Sequence, residues 1–258
     1  MEELLFLGTG NAFSESGDRP SCYLLNHNEN KILIDCGPAI LPALYENQIT
    51  PKQIDMIYIS HLHPDHYMGL AFIYLENYYV SKREKSVPVL CPSGLPEKIT
   101  SIINLIYEPY EAARIIDCFN FVELTDNDQY SYKDLQIRTF PSDHDAKARM
   151  AVFTSPTYSL GYSSDTNFVP EQLDTLIAHA DLIIHEATSA DLYIEGHTNL
   201  YELLEFEFPD DKIFFLTNHD QSVLDALQTM NLPRNLILVR DNDHYIIEDL
   251  LKLSKIKH

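Results

Sequence analysis

S-H-L-H-P-D-H-Y-M-G, Ser60–Gly69, sets His61, His63, Asp65 and His66 within six positions. Metal chemistry accounts for that density better than packing does. Imidazole and carboxylate groups suit zinc, manganese and iron, and they shed protons near neutral pH. The bland alternative is a His-rich surface turn, and the spacing argues against it. The preceding run Asp55–Ser60, D-M-I-Y-I-S, reads as a strand because it is short, apolar and rich in β-branched and aromatic residues. Pro64 disfavours helix in the residues before it. The histidines are therefore predicted on a tight loop at a strand end, where side chains converge. Beyond Gly69, Leu70–Tyr79 reads as a helix.

Working outward, strands are predicted at Glu3–Leu7, Ser21–Leu25 and Lys31–Asp35, the last two joined as a hairpin through Asn26–Asn30. Ala39–Asn47 reads as a helix, and Thr50-Pro51 as a cap followed by proline at a first helical position. Val87–Cys91, Phe119–Leu124, Ser131–Phe140, Met150–Phe153, Tyr158–Tyr162, Leu182–His185, Ile213–Thr217, Leu236–Val239 and Tyr245–Ile247 read as strands. Helices are predicted at Leu95–Tyr107, Glu171–Ala180, His197–Phe206 and Ser222–Met230. No repeat, low-complexity tract or linker interrupts the 258 residues, so one domain is expected over 1–258, with helices outside two packed sheets.

Composition narrows the class. A 45% hydrophobic content with only 8 glycines is that of a globular chain with a substantial core. No apolar run is long enough to span a bilayer, and M-E-E-L-L-F-L-G at the start is acidic where a secretory leader is basic. Cys22, Cys36, Cys91 and Cys118 form no C-x-x-C pair, so free thiols in a cytoplasmic protein are expected. Eighteen basic against thirty-nine acidic residues gives a net charge of −21. Such a surface repels polyanions, which makes a long nucleic acid a poor substrate. A small anion drawn to a local metal charge remains compatible with it.

Three more ligand-type residues follow strands: His144 in P-S-D-H-D, Asp165 in Y-S-S-D-T and His219 in L-T-N-H-D. Taken singly, each has an ordinary reading, as a surface histidine or a turn aspartate. Their shared strand-end position lifts them, because it gathers four loops along one edge of the sheets. Five histidines and two aspartates exceed the needs of one catalytic zinc and suit two metals with one bridging carboxylate. His27, His179, His244 and His258 gain nothing from this and read as solvated or locally bonded.

These residues resemble the metallo-β-lactamase superfamily, whose H-x-H-x-D-H signature stands here as His61-Leu-His63-Pro-Asp65-His66. The resemblance runs from Gly8–Asn11 to His219 and implies an αββα sandwich, an α/β layered fold. It implies that His61, His63 and His144 hold one divalent ion and that Asp65, His66 and His219 hold a second, with Asp165 bridging. Zinc is the first expectation and manganese the second. A narrower likeness is to the ribonuclease Z branch: Tyr162–Thr166 resembles its Y-S-G-D-T with Ser164 for glycine, and Ile184–Thr188 matches its H-E-A-T element. Gly196–Asn199 resembles its H-S-T element with Thr198 for serine. That branch implies a Glu186–His197 pair that protonates the leaving oxygen, and Asp65 or Asp165 orienting the attacking water. Without the resemblance, Glu186 would be a strand-end carboxylate and His197 a helix N-terminal residue.

Ribonuclease Z carries a long tRNA-binding arm between the histidine corresponding to His144 and the bridging aspartate. Here those residues are 21 positions apart, and the arm is missing. The chain is therefore similar to the compact anti-Pycsar phosphodiesterases, which degrade cyclic nucleotide signals. A phosphonate-pathway cyclic phosphodiesterase is a second relative, but its cysteine-containing zinc site has no counterpart here. The resemblance implies hydrolysis of 3′,5′-cyclic mononucleotides, a homodimer and no membrane partner. The alternatives are an RNA 3′-end nuclease, a lactone, thioester or β-lactam hydrolase, and a protein that sequesters nucleotides without turnover. Tyr74–Tyr79 and Phe168 offer faces on which a base could stack, although aromatics at helical spacing are usually core.

Overall fold

The computed structural model describes residues 2–106, 118–144 and 147–254. His258 and Tyr107, the last residue of one predicted helix, lie outside them. Apolar residues are continuous along most strands, which is the pattern of sheets covered on both faces. Alternation then divides each strand between two cores. In β1 (Glu3–Gly8), Leu5 and Leu7 pack into the outer helix layer, whereas Leu4 and Phe6 face the opposite sheet.

Two seven-stranded sheets result. The first has the order β14-β1-β2-β3-β4-β5-β6, built from β1, β2 (Cys22–His27), β3 (Asn30–Ile34), β4 (Ile54–Tyr58), β5 (Val87–Pro92), β6 (Phe119–Leu124) and β14 (His244–Ile246). The second runs β13-β12-β11-β10-β9-β8-β7, from β7 (Gln129–Tyr132), β8 (Leu135–Pro141), β9 (Arg149–Thr154), β10 (Ser159–Tyr162), β11 (Leu182–Glu186), β12 (Ile213–Thr217) and β13 (Leu236–Leu238). Each sheet is antiparallel in one half and parallel in the other. Helices α1 (Ile40–Glu46), α3 (Gly69–Tyr79) and α4 (Leu95–Ile106) cover the first sheet, and α5 (Pro170–His179), α6 (Leu200–Leu204) and α7 (Gln221–Ala226) cover the second. The expected αββα layering is what forms.

Tyrosine hydroxyls tie the two sheets together. Tyr23 on β2 bonds Thr217 on β12 at 3.0 Å, and Tyr58 on β4 donates to the Arg149 carbonyl on β9 at 2.9 Å. A buried hydroxyl is tolerated only with a partner, so each bond also pins the relative placement of the sheets.

Four local readings differ from the structure. Ser131–Phe140 is not one strand: Lys133, at φ 55°, turns the chain between β7 and β8. The predicted helix from His197 starts only at Leu200, because Asn199 caps it by accepting from the Glu202 amide at 2.9 Å. Pro64 itself begins a four-residue helix, α2 (Pro64–Tyr67), as its fixed φ allows. The expected closing strand forms as β14, and the helix after it, α8 (Ile247–Ser254), has no counterpart in the sequence reading. His27 is not solvated either: it is buried and bonds Tyr158 and Asp134, each at 3.0 Å.

Phe153 fills the inter-sheet core at zero exposure, edge-on to Tyr58 at 5.6 Å. Phe153→Ala should cost about 3–5 kcal/mol in denaturant unfolding, since no neighbour can collapse into the space. A loss below about 1 kcal/mol would mean that the two sheets are not packed through this residue.

Candidate metal centre and acid pair

Strand ends deliver the site. β4 ends at Tyr58 and is followed by Ser60, His61 and His63; β8 leads to His144, β10 to Asp165, β11 ends at Glu186, and β12 leads to Asn218 and His219. The side chains converge from both sheets. The His61 Nε2 to His63 Nδ1 distance is 3.2 Å, and His63 Nδ1 lies 3.0 Å from His144 Nε2. His66 Nε2 lies 3.2 Å from Asp65 Oδ2 and 3.3 Å from Asp165 Oδ2, which is itself 3.7 Å from His61 Nε2. Three ligand groups result among the described residues: His61, His63 and His144; His61, His66 and Asp165; and His144, Asp165 and His197.

Outer contacts aim these ligands. His144 Nδ1 donates to the Gly196 carbonyl at 2.6 Å, and His66 Nδ1 donates to Asp35 Oδ2 at 2.7 Å. Either bond leaves the opposite nitrogen as the one that presents a lone pair. Gly196, at φ 83°, permits this approach, because a Cβ there would sit 2.6 Å from His144 Nδ1. Asp35 was missed as a site residue by the sequence reading, although a lone acid ending the apolar run of β3 was visible. It is fully buried and accepts from the Ser60 amide and hydroxyl, His66 and Tyr162. Ser164, in place of glycine, still adopts φ 58°, a region that favours glycine. Thr198, in place of serine, uses its hydroxyl to bond the Thr166 carbonyl at 2.8 Å.

His219 meets none of these three groups. Its Nε2 donates to the Val239 carbonyl at 3.1 Å, and its backbone joins the Thr9 loop. Its Nδ1, however, is buried without a partner. That nitrogen and His66 Nε2, which faces the carboxylates of Asp65 and Asp165, belong to the set expected for the second ion. A buried imidazole nitrogen without a partner is costly unless something fills the gap.

Electrostatics point the same way. Burial disfavours the charged form of His66, but Asp165, Asp35 and Asp65 outweigh it and hold its pKa well above the ordinary value. The Asp165 carboxyl resists ionisation through burial, yet His66 and His61 hold its pKa far below the usual range. Burial pushes His61 and His144 down, keeping them neutral as ligands must be. Carboxylates that favour a proton on His66 call for positive charge at this point, and divalent cations fit this donor set.

Glu186 and His197 meet at 3.1 Å, between Glu186 Oε2 and His197 Nδ1. Thr188 Oγ1 and the Thr166 amide also donate to Glu186. Burial lifts the Glu186 pKa to about 7. Burial works against a charged His197, but the hydrogen bond and charge of Glu186, with Asp165, raise it to about 9. His197 borders a cavity of about 600 Å³ that also reaches His63, Asp65, His144 and Asp165, with Glu186 buried behind it. Tyr74 is instead buried in the outer helix layer of the first sheet, and Phe168 packs on Phe206.

Purified protein should carry about two divalent ions per chain, and His61→Ala or Asp165→Ala should lower that number and abolish activity. Asp35→Asn should weaken metal affinity by about 10- to 100-fold while leaving His61, His63 and His144 in place. Unchanged affinity by metal titration would show that Asp35 does not orient His66.

The chain matches the family profile of anti-Pycsar protein Apyc1 over residues 2–231. It is 30% identical to an anti-Pycsar protein Apyc1 of Saccharibacillus brassicae over 213 residues, 78% of this chain and 83% of that protein. It is 33% identical to a ribonuclease Z of Clostridium perfringens over 153 residues, 56% of this chain but only 48% of that enzyme's length. The metallo-β-lactamase fold protein YhfI of Bacillus subtilis superimposes with a TM-score of 0.72 at 17% identity, covering 95% of this chain and all of that one. The chain therefore belongs to the anti-Pycsar Apyc1 family and is a metal-dependent hydrolase of the phosphodiesterase class on the metallo-β-lactamase fold.

Proposed function

We propose that this protein hydrolyses 3′,5′-cyclic mononucleotides to linear monophosphates. One observation carries the reading: His197, backed by Glu186, lines the same cavity as His63, Asp65, His144 and Asp165, and no lysine or arginine is among the described residues that line it. A polynucleotide site usually offers cationic side chains along the strand. This one offers none, on a chain with a net charge of −21. His144 and Asp165 are only 21 positions apart, and the described residues between them include β9 and β10, which leaves too little chain for a protruding arm to grip tRNA. The Apyc1 names among the relatives support the same reading.

His61, His63, Asp65, His66, His144, Asp165 and His219 would hold two divalent ions. When bound, these supply Lewis acidity toward the phosphoryl oxygens and acidify water near neutral pH. The protein's own part is orientation and proton supply. Asp65 and Asp165 accept hydrogen bonds from the attacking water and direct it toward phosphorus. Glu186 fixes the His197 ring through Nδ1, which leaves Nε2 to carry the proton that the departing ribose oxygen takes up. Thr188 and the Thr166 amide hold Glu186 in turn, so the pair is preorganised.

His197→Ala should lower kcat by about 10²- to 10⁴-fold with the metal content kept. A nitrophenyl phosphodiester, whose leaving group needs no proton, should lose far less. Equal losses on both substrates would assign His197 a role in shaping the pocket only. Chromatography of reactions with cyclic AMP, GMP, CMP and UMP, a pre-tRNA and a lactone tests the substrate class. Opening of one or more cyclic nucleotides is the outcome expected. Trimming of the pre-tRNA with no cyclic nucleotide consumed would establish the ribonuclease Z reading instead. Binding of cyclic nucleotides without turnover in the metal-loaded protein would make it a sequestering protein.

A further inference from the structure

Asn218 stands just past the end of β12, one position before His219, and its side chain meets the candidate bridging carboxylate. Asn218 Nδ2 donates to Asp165 Oδ1 at 3.0 Å. A carboxylate only accepts, so the NH₂ end of the carboxamide is the one that faces it. The other oxygen, Asp165 Oδ2, faces the imidazoles: it lies 3.3 Å from His66 Nε2, 3.7 Å from His61 Nε2 and 3.9 Å from His197 Nδ1. The two oxygens are thus sorted, one toward the protein and one toward the ligand cluster. Asp165 is also held through its backbone, whose carbonyl accepts from Ser142 Oγ at 2.7 Å. The support for the carboxamide is equally firm. On either side of Asn218, the Thr217 carbonyl accepts from the Ala187 amide at 2.9 Å and the His219 amide donates to the Thr9 carbonyl at 3.2 Å.

Two features of Asn218 are unfavourable by themselves. Its backbone stands at φ 56°, a left-handed conformation that asparagine tolerates but glycine adopts more readily. Its Oδ1 is buried without a partner, although the residue borders the cavity. A side chain placed here for packing alone would carry no polar atom to strand. We infer that Asn218 is a positioning residue for Asp165: its amide reserves Oδ1, so that Oδ2 is left for the ligand cluster. The inference rests on the two-ion reading above. Once Oδ1 is released, the carboxylate is free to rotate and to give both oxygens to one ion, which withdraws Oδ2 from the other. The amide therefore acts on how the two ions share Asp165, and leaves His61, His63 and His144 as they are.

The test equilibrates zinc-loaded wild type, Asn218→Gly and Asn218→Ala against graded concentrations of a chelator and counts the zinc ions retained per chain. Asn218→Gly removes the amide and suits the left-handed backbone, whereas Asn218→Ala removes the amide and keeps the backbone strain. In both variants one ion per chain should be held within about threefold of its wild-type affinity, and the second should weaken about 10- to 100-fold. An Asn218→Gly variant that holds both ions as wild type does would overturn the inference, whatever Asn218→Ala shows, because position 218 would then supply only its backbone. Equal weakening of both ions would also overturn it, by making Asn218 a support of the fold and not of Asp165. A wild type that itself holds fewer than two ions would overturn the inference together with the two-ion reading beneath it.

Discussion

The carboxylate of Asp35 is the constraint on which the site depends. It sits at zero exposure just past β3 and receives four hydrogen bonds, two from Ser60, one from His66 and one from Tyr162. Ser60 opens the histidine loop, and Tyr162 ends β10 in the opposite sheet. One buried charge therefore joins both sheets and aims one candidate ligand histidine. Burying a charge is expensive, and it persists only where donors satisfy it fully. Asp35 itself stands at φ 57°, so the backbone also bends to place it. Left-handed backbone recurs at Ser164 and Asn218, each next to a candidate ligand, which concentrates local strain around the site.

The same constraint governs the Glu186–His197 pair. Glu186 is buried and supported by two donors besides His197, so the imidazole it holds cannot rotate freely. An acid so held gains little from being solvated and much from being aligned. His197 lies close to His144, with ring centroids 5.0 Å apart, and Gly196 joins the two by accepting from His144. The acid pair and the ligand cluster are thus parts of one rigid assembly.

Charge sorts the ligands that can use that assembly. With −21 overall and carboxylates on the cavity lining, attraction for a phosphate would have to come from cations held by the histidine–aspartate cluster. Such attraction is strong at short range and screened beyond about 10 Å, so it favours a small anion over an extended one.

Most ligand-type residues were legible because their signal is local. His61, His63, Asp65 and His66 share six positions, and His144, Asp165 and His219 each follow an apolar strand, a pattern that periodicity reveals. The order of elements, strand-rich halves each ending in helices, likewise foretold two packed sheets with helices outside. What stayed hidden was non-local. Nothing near Asp35 announces that it will meet Tyr162, 127 positions away, or orient His66. Nor does the sequence disclose that His219 turns Nε2 toward Val239 and leaves Nδ1 unpartnered, or that Asn218 meets Asp165 from another strand end. The sequence by itself determined the layered fold and the chemical kind of each ligand, since both follow from neighbouring residues and their spacing. The tertiary structure alone decided which nitrogen each histidine presents, which carboxylate orients it and what borders the cavity, because those depend on hydrogen bonds that form only once distant strand ends are packed together.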